Sequence, residues 1–279
     1  MALSVVFGIT YAANDGRMKD RTFEEVRDTV CNDEYTLEIR GRFVEDDTLF
    51  FLKEYVTEKG SKQLNTSAYL EPDRNSLYYM PEYWLSRIDG KEGDAVEKEW
   101  KRQNYYEKPE ERMPLKKVDL HDVPTDWIPL HYLDGRTCVY KPYETDRQYR
   151  LTDSLYVWVT MEPFFEPMQQ GERLSPDCWH FQIGDAESGY SDLYVHRIDE
   201  KTQASILELR TEDKPARCKL VIPVTSVKYF DLVVCDALVC KYVGDWKMAQ
   251  LDAGRMLEAA RRGEVIDIHH LDKFVVRRS

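Results

Sequence analysis

The segment Cys218 to Tyr242, CKLVIPVTSVKYFDLVVCDALVCKY, is the most concentrated apolar stretch of the chain and the one that most restricts its fold. Valine, isoleucine and aromatic residues fill it, and Leu220, Ile222 and Val224 recur at period two, which suits pleated backbone rather than a helix. It is read as core strands. The runs at 155–161, 178–183, 192–198 and 204–210 have the same character, separated by Gly, Pro and acidic turns, and short strands at that spacing argue for antiparallel sheet. The expected class is α+β, mainly antiparallel sheet with a few flanking helices.

The N-terminal half is more mixed. Residues 3–11 read as a first strand; Thr22-Phe23-Glu24-Glu25 reads as a capping box opening a short helix to about Val30. Tyr35, Leu37 and Ile39 alternate with polar residues as in a half-buried strand, and Leu49 to Leu52 fits strand or helix equally. Asp94 is placed to cap a helix over 95–106. Between Glu107 and Arg150 the periodicity fades and prolines gather. The expected organisation is therefore an N-terminal portion over 1–112, an irregular connection over 113–150, and a β-rich C-terminal portion over 151–279, all within reach of one continuous domain. Asp245 is expected to cap a helix over 246–262, whose Ala249, Ala253, Met256, Leu257 and Ala260 form one apolar stripe ended by Gly263.

Composition narrows the function classes. With 279 residues, 42% of them hydrophobic, the chain can bury a core without disulfides or metals. Lysine plus arginine number 39 against 51 acidic residues, a formal charge of −12 that repels phosphate backbones and anionic membrane surfaces. Neither nucleic acid nor membrane is expected as a partner. Arg261, Arg262, Arg277 and Arg278 form the nearest thing to a basic patch, and the first two fit better as the cationic end of a helix. The N-terminus has no basic residues before its apolar run and no small-residue cleavage site, so a secretory signal is not expected. No apolar run is long enough to span a bilayer. Six scattered cysteines suit reduced thiols in a cytoplasmic setting.

No stretch carries a motif that names a reaction, and neither a Gly-rich phosphate loop, G-x-S-x-G nor H-E-x-x-H is present. The sharpest local constellation is Asp267-Ile268-His269-His270-Leu271-Asp272. In an extended segment Asp267 and His269 share a face, so carboxylate and imidazole are available as an acid/base pair or as two metal ligands; the plain alternative is a turn with solvated histidines. Cys178-Trp179 resembles, over two residues, the dipeptide around the nucleophile of papain-like proteases, with His121, His131 or His196 as distant bases. The strand-like alternation of Trp179 to Ile183 favours a buried strand cysteine instead. Cys235, Cys240 and Cys218 lack the turns a zinc knuckle needs. The acidic pairs at Glu45-Asp46-Asp47, Glu110-Glu111, Asp185-Glu187 and Asp199-Glu200 read as solvated turns.

The patch Leu77 to Leu85, with Tyr78, Tyr79, Tyr83 and Trp84, reads either as core beneath a loop or as an exposed anchor surface. The leading expectation is a non-catalytic cytoplasmic interaction protein, of inhibitor or immunity type for example, that presents acidic and aromatic surface to a basic protein partner and needs no cofactor. The rivals are a hydrolase, with or without a metal, built on Asp267, His269 and His270, and a structural or chaperone-like assembly component.

Overall fold

The computed structural model describes residues 22–24, 28–31, 35–45, 48–57, 62–66, 68–71, 73–87, 115–133, 135–141, 148–159, 163–186, 189–235 and 248–276. The strand expected over 3–11 and the helix expected over 95–106 lie outside them. By its internal contacts the chain divides into one unit over Met1–Thr66 and another over Ser67–Ser279.

The first unit holds a sheet of β1 (Thr22–Glu24), β2 (Asp28–Cys31), β3 (Tyr35–Glu45), β4 (Thr48–Thr57) and β5 (Lys62–Thr66). β3 is its hub, with β1, β2 and β4 all antiparallel to it. The expected helix over Thr22 to Val30 is replaced by β1 and β2. A capping box is a local preference of small energy, and pairing of Thr22 with Val44 and of Asp28 with Ile39 overrides it. The ambiguous Leu49 to Leu52 run belongs to β4.

In chain order the second unit contains β6 (Ala68–Leu70), α1 (Pro81–Arg87), β7 (Asp126–Leu133), β8 (Arg136–Lys141), β9 (Gln148–Leu151), β10 (Leu155–Val159), β11 (Pro163–Ser175) and β12 (Cys178–Asp185). It continues with β13 (Gly189–Arg197), β14 (Ser205–Thr211), β15 (Arg217–Pro223), β16 (Asp231–Cys235), β17 (Met248–Ala249) and α2 (Ala253–Arg261). From β9 to β15 each strand pairs antiparallel with the next, and β7 pairs with both β9 and β15, which closes an eight-stranded barrel. The protein is thus mainly antiparallel β with few helices, and the expected α+β sheet with flanking helices is only its coarse outline. Beyond Pro129, β7 leaves the barrel to pair with β8, which pairs in parallel with β16. Proline has no N–H to donate, and Pro129 falls between the stretch of β7 that pairs with β9 and the stretch that pairs with β8.

The expected irregular connection over 113–150 carries β7, β8 and β9. Its prolines masked strands whose partners, such as β15, lie far along the chain. The apolar segment from Cys218 divides into β15, a 3₁₀ turn over Val224–Tyr229, and β16. The expected 246–262 helix is shorter at its start: Met248–Ala249 form β17 against β7, and Asp252 caps α2 by accepting from the Arg255 N–H at 3.0 Å.

Alternation sorts the side chains of the barrel. One set, including Trp127, Met168, Trp179, Phe181, Leu193, Val195 and Val221, is no more than 1% exposed and fills the interior. Eight strands enclose just enough space for side chains to fill it. Gly171 is required by that filling, because a Cβ there would lie 2.7 Å from Phe181 and Val118. The outer face of β7 and β15 is covered by α1 and α2, whose Trp84, Met256 and Leu257 join Ile128, Ile206, Leu220 and Ile222 in a second core.

Candidate functional site

The other set of side chains on β11 to β14 points outward, and there the chemistry-bearing residues collect. Cys178 pairs across the sheet with His196, and His196 with Ile206, which lies two residues before Glu208 on the same face of β14. Two local devices hold this register. The β13–β14 turn is built by Asp199, whose carboxylate accepts from the Thr202 backbone at 2.7 Å and its hydroxyl at 2.6 Å. The hairpin before Cys178 is clamped by Arg173 and Arg197, which both donate to the Pro176 carbonyl, at 3.0 and 3.1 Å. Both guanidinium groups also lie over the Trp179 ring, at 5.4 and 5.7 Å.

Within this frame the Cys178 sulfur lies 3.4 Å from His196 Nδ1, and His196 Nε2 lies 2.8 Å from Glu208 Oε2. Glu208 is 5% exposed and His196 14%. Glu208 also accepts from Arg210 at 3.0 Å and from Arg261, in the last turn of α2, at 2.8 Å. Burial pushes its carboxyl up, but the bonds from His196 and Arg210 and the charges of Arg210 and Arg261 more than reverse this, so it stays ionised. An ionised carboxylate only accepts, so His196 must carry its proton on Nε2 and present the Nδ1 lone pair to Cys178. Burial, opposed by Glu208, holds the imidazole below its ordinary value. Burial likewise raises the Cys178 thiol, with Arg261 opposing. The resting pair is a neutral thiol donating to a neutral imidazole.

Beside it, His180 bridges Glu172 at 3.0 Å and Asp192 at 2.8 Å. Tyr194 stacks between the two imidazoles, 4.7 Å from His180 and 5.9 Å from His196, and the Arg210 guanidinium lies 4.6 Å from the Tyr194 ring. No family model, no curated protein and no solved structure matches this chain. The functional reading therefore rests on this geometry.

The Asp267, His269 and His270 set singled out by sequence falls elsewhere. Asp267 pairs with His270 at 2.8 Å and accepts from the His269 N–H at 3.0 Å, so the segment is an exposed turn rather than an extended strand. The His269 ring instead meets Phe230 at 5.2 Å, so Asp267 and His269 do not form a shared side-chain pair. Those two bonds also hold the Asp267 carboxyl below the usual range. An open pocket lies nearby, lined by Asp252, Arg255, Asp272 and Lys273 with Val275 and Val276. Asp272 there accepts from the Tyr132 hydroxyl, whose pKa burial and that bond push up to about 12. Among the described residues no cluster of His, Cys, Asp or Glu is placed to hold a metal, and no helix is long and apolar enough to cross a membrane.

Of the aromatic patch, Trp84 is 1% exposed and donates to the Tyr78 carbonyl at 2.8 Å, and Tyr79 is buried under Arg74. Tyr78 and Tyr83 are half-buried and meet edge to face. The patch is packed against the second core, with Leu77 and Met80 exposed at its rim. Sequence reasoning named Cys178 and His196 but not Glu208, His180 or Tyr194 as a group. The one signal available was strand parity, which puts Cys178 with His180 and Tyr194 with His196 on common faces.

Proposed function

We propose that the protein is a non-catalytic interaction protein whose acidic and aromatic surface binds a basic protein partner, in the manner of an inhibitor or immunity-type protein. The observation that carries this reading is the outer face of β11 to β13, where exposed Glu172 and Asp192 flank His180 above the Tyr194 stack. Three features support it. The barrel interior is filled by side chains, which leaves recognition to the outside. The ion pairs and stacked rings hold the face in one arrangement before any partner arrives, which lowers the ordering cost of binding. The charge of −12 steers a cationic partner toward the molecule.

The test is capture of a partner from the native host, followed by binding at two salt concentrations with the wild type and with Glu172→Gln/Asp192→Asn. Binding that weakens with salt and weakens again in the double variant is the expected result. Salt-independent binding, or binding indifferent to the double variant, overturns it.

A further inference from the structure

We propose that Cys178 is a base-assisted reactive thiol, with His196 as its proton acceptor and Glu208 as the group that orients His196, and that it forms mixed disulfides with small-molecule disulfides. Three observations meet at this point. The sulfur is 3.4 Å from His196 Nδ1, the ionised Glu208 fixes the tautomer that leaves Nδ1 free to accept, and the Arg173 and Arg197 clamp holds the hairpin that delivers Cys178. A nucleophile beside a base that is itself oriented by a third group is the general arrangement for activating a weak nucleophile.

The class of electrophile follows from the surroundings. Acyl transfer calls for free N–H donors to hold an oxyanion, whereas the backbone here is committed to the β12–β13 and β13–β14 ladders. Disulfide exchange needs only a thiolate and a leaving thiol. In the step, Cys178 passes its proton to His196 Nδ1 while the sulfur attacks one sulfur of the reagent. A new S–S bond forms as the old one breaks, and the departing thiolate takes the proton back from His196. Cys178 is oxidised to the mixed disulfide, and the other half of the reagent is reduced to a thiol. Glu208 opposes the transient charge on the imidazolium, with Arg210 and Arg261 limiting how strongly it does so.

Cys218 is the internal control. It is half-buried on the neighbouring β15 opposite Glu208, and among the described residues it has no imidazole partner. The full chain is incubated with oxidised glutathione near neutral pH, quenched with acid, and mapped by peptide mass. Cys178 is expected to react about tenfold faster than Cys218, a modest share of what a positioned base supplies. In His196→Gln the two rates converge, and in Cys178→Ser the fast phase disappears. Equal rates at Cys178 and Cys218 in the wild type, or an unchanged ratio in His196→Gln, overturn the proposal. Should that variant fail to fold, the wild-type pH profile decides: a shallower fall in rate on acidification at Cys178 than at Cys218 supports it, and parallel falls overturn it.

Discussion

Two imidazole–carboxylate pairs in this molecule have the same separation and opposite surroundings. His196 and Glu208 on the barrel face lie 2.8 Å apart with side chains 14% and 5% exposed; His270 and Asp267 at the C-terminal turn lie 2.8 Å apart at 76% and 60%. Water screens the second pair from both sides, and an exposed pair of this kind contributes little. The first sits where water is largely excluded, is backed by Arg210 and Arg261, and has a thiol on its far nitrogen. Distance is equal in the two; what separates them is the dielectric around the pair and the number of groups that fix its orientation.

The most severe way to break this contrast is from inside the barrel. Trp179 is 1% exposed and lies beneath both clamping arginines, so Trp179→Ala should cost about 3–5 kcal/mol in denaturant unfolding and release the Cys178 hairpin. Smaller is Glu208→Ala, at about 1–3 kcal/mol, because His196, Arg210 and Arg261 lose their common acceptor while the arginines recover water. Full retention of stability in that variant would place the pair on a level with the turn.

Acidification probes the same pair more gently. His196 titrates below its ordinary 6.5 in the folded chain, so the unfolded chain takes up the proton first and stability falls as pH drops from about 6.5 toward the folded value. Glu208 is also held below its ordinary 4.5, so its contribution is complete above 4.5 and is lost as pH falls through the folded value. Melting temperatures between neutral pH and pH 5 should therefore decline, and His196→Gln should flatten that decline. The smallest effect is expected at the turn: Asp267→Asn should leave both the melting temperature and its pH dependence unchanged, and any clear shift would mean that exposure does not separate the two pairs.

Part of this was readable along the chain. Strand alternation around Trp179, Leu193 and Leu207 placed the inward residues, and parity groups Cys178 with His180 and Tyr194 with His196; the expected buried strand cysteine, however, is half-buried on the outer face. Glu208 looked like an ordinary solvated position within Leu207-Glu208-Leu209-Arg210. It is buried because α2 brings Arg261 over it, a contact between residues 208 and 261 that no local pattern records. The Asp267 turn was conspicuous for the opposite reason: its residues are adjacent in sequence, so their proximity is local and demands nothing of the fold.

By itself the sequence determined that the chain is strongly sheet-forming, that its strands from Leu155 to Pro223 are antiparallel, and which residue types alternate between their faces, because period-two burial is a local property of pleated backbone. Only the tertiary structure decided that β7 closes the sheet into a barrel through β9 and β15, and that Cys178, His196 and Glu208 share one outer patch. Closure and register are set by pairings between distant segments and by the filling of a common interior. A one-residue slip in any of these ladders would carry the thiol, the imidazole or the carboxylate to the wrong side of the wall.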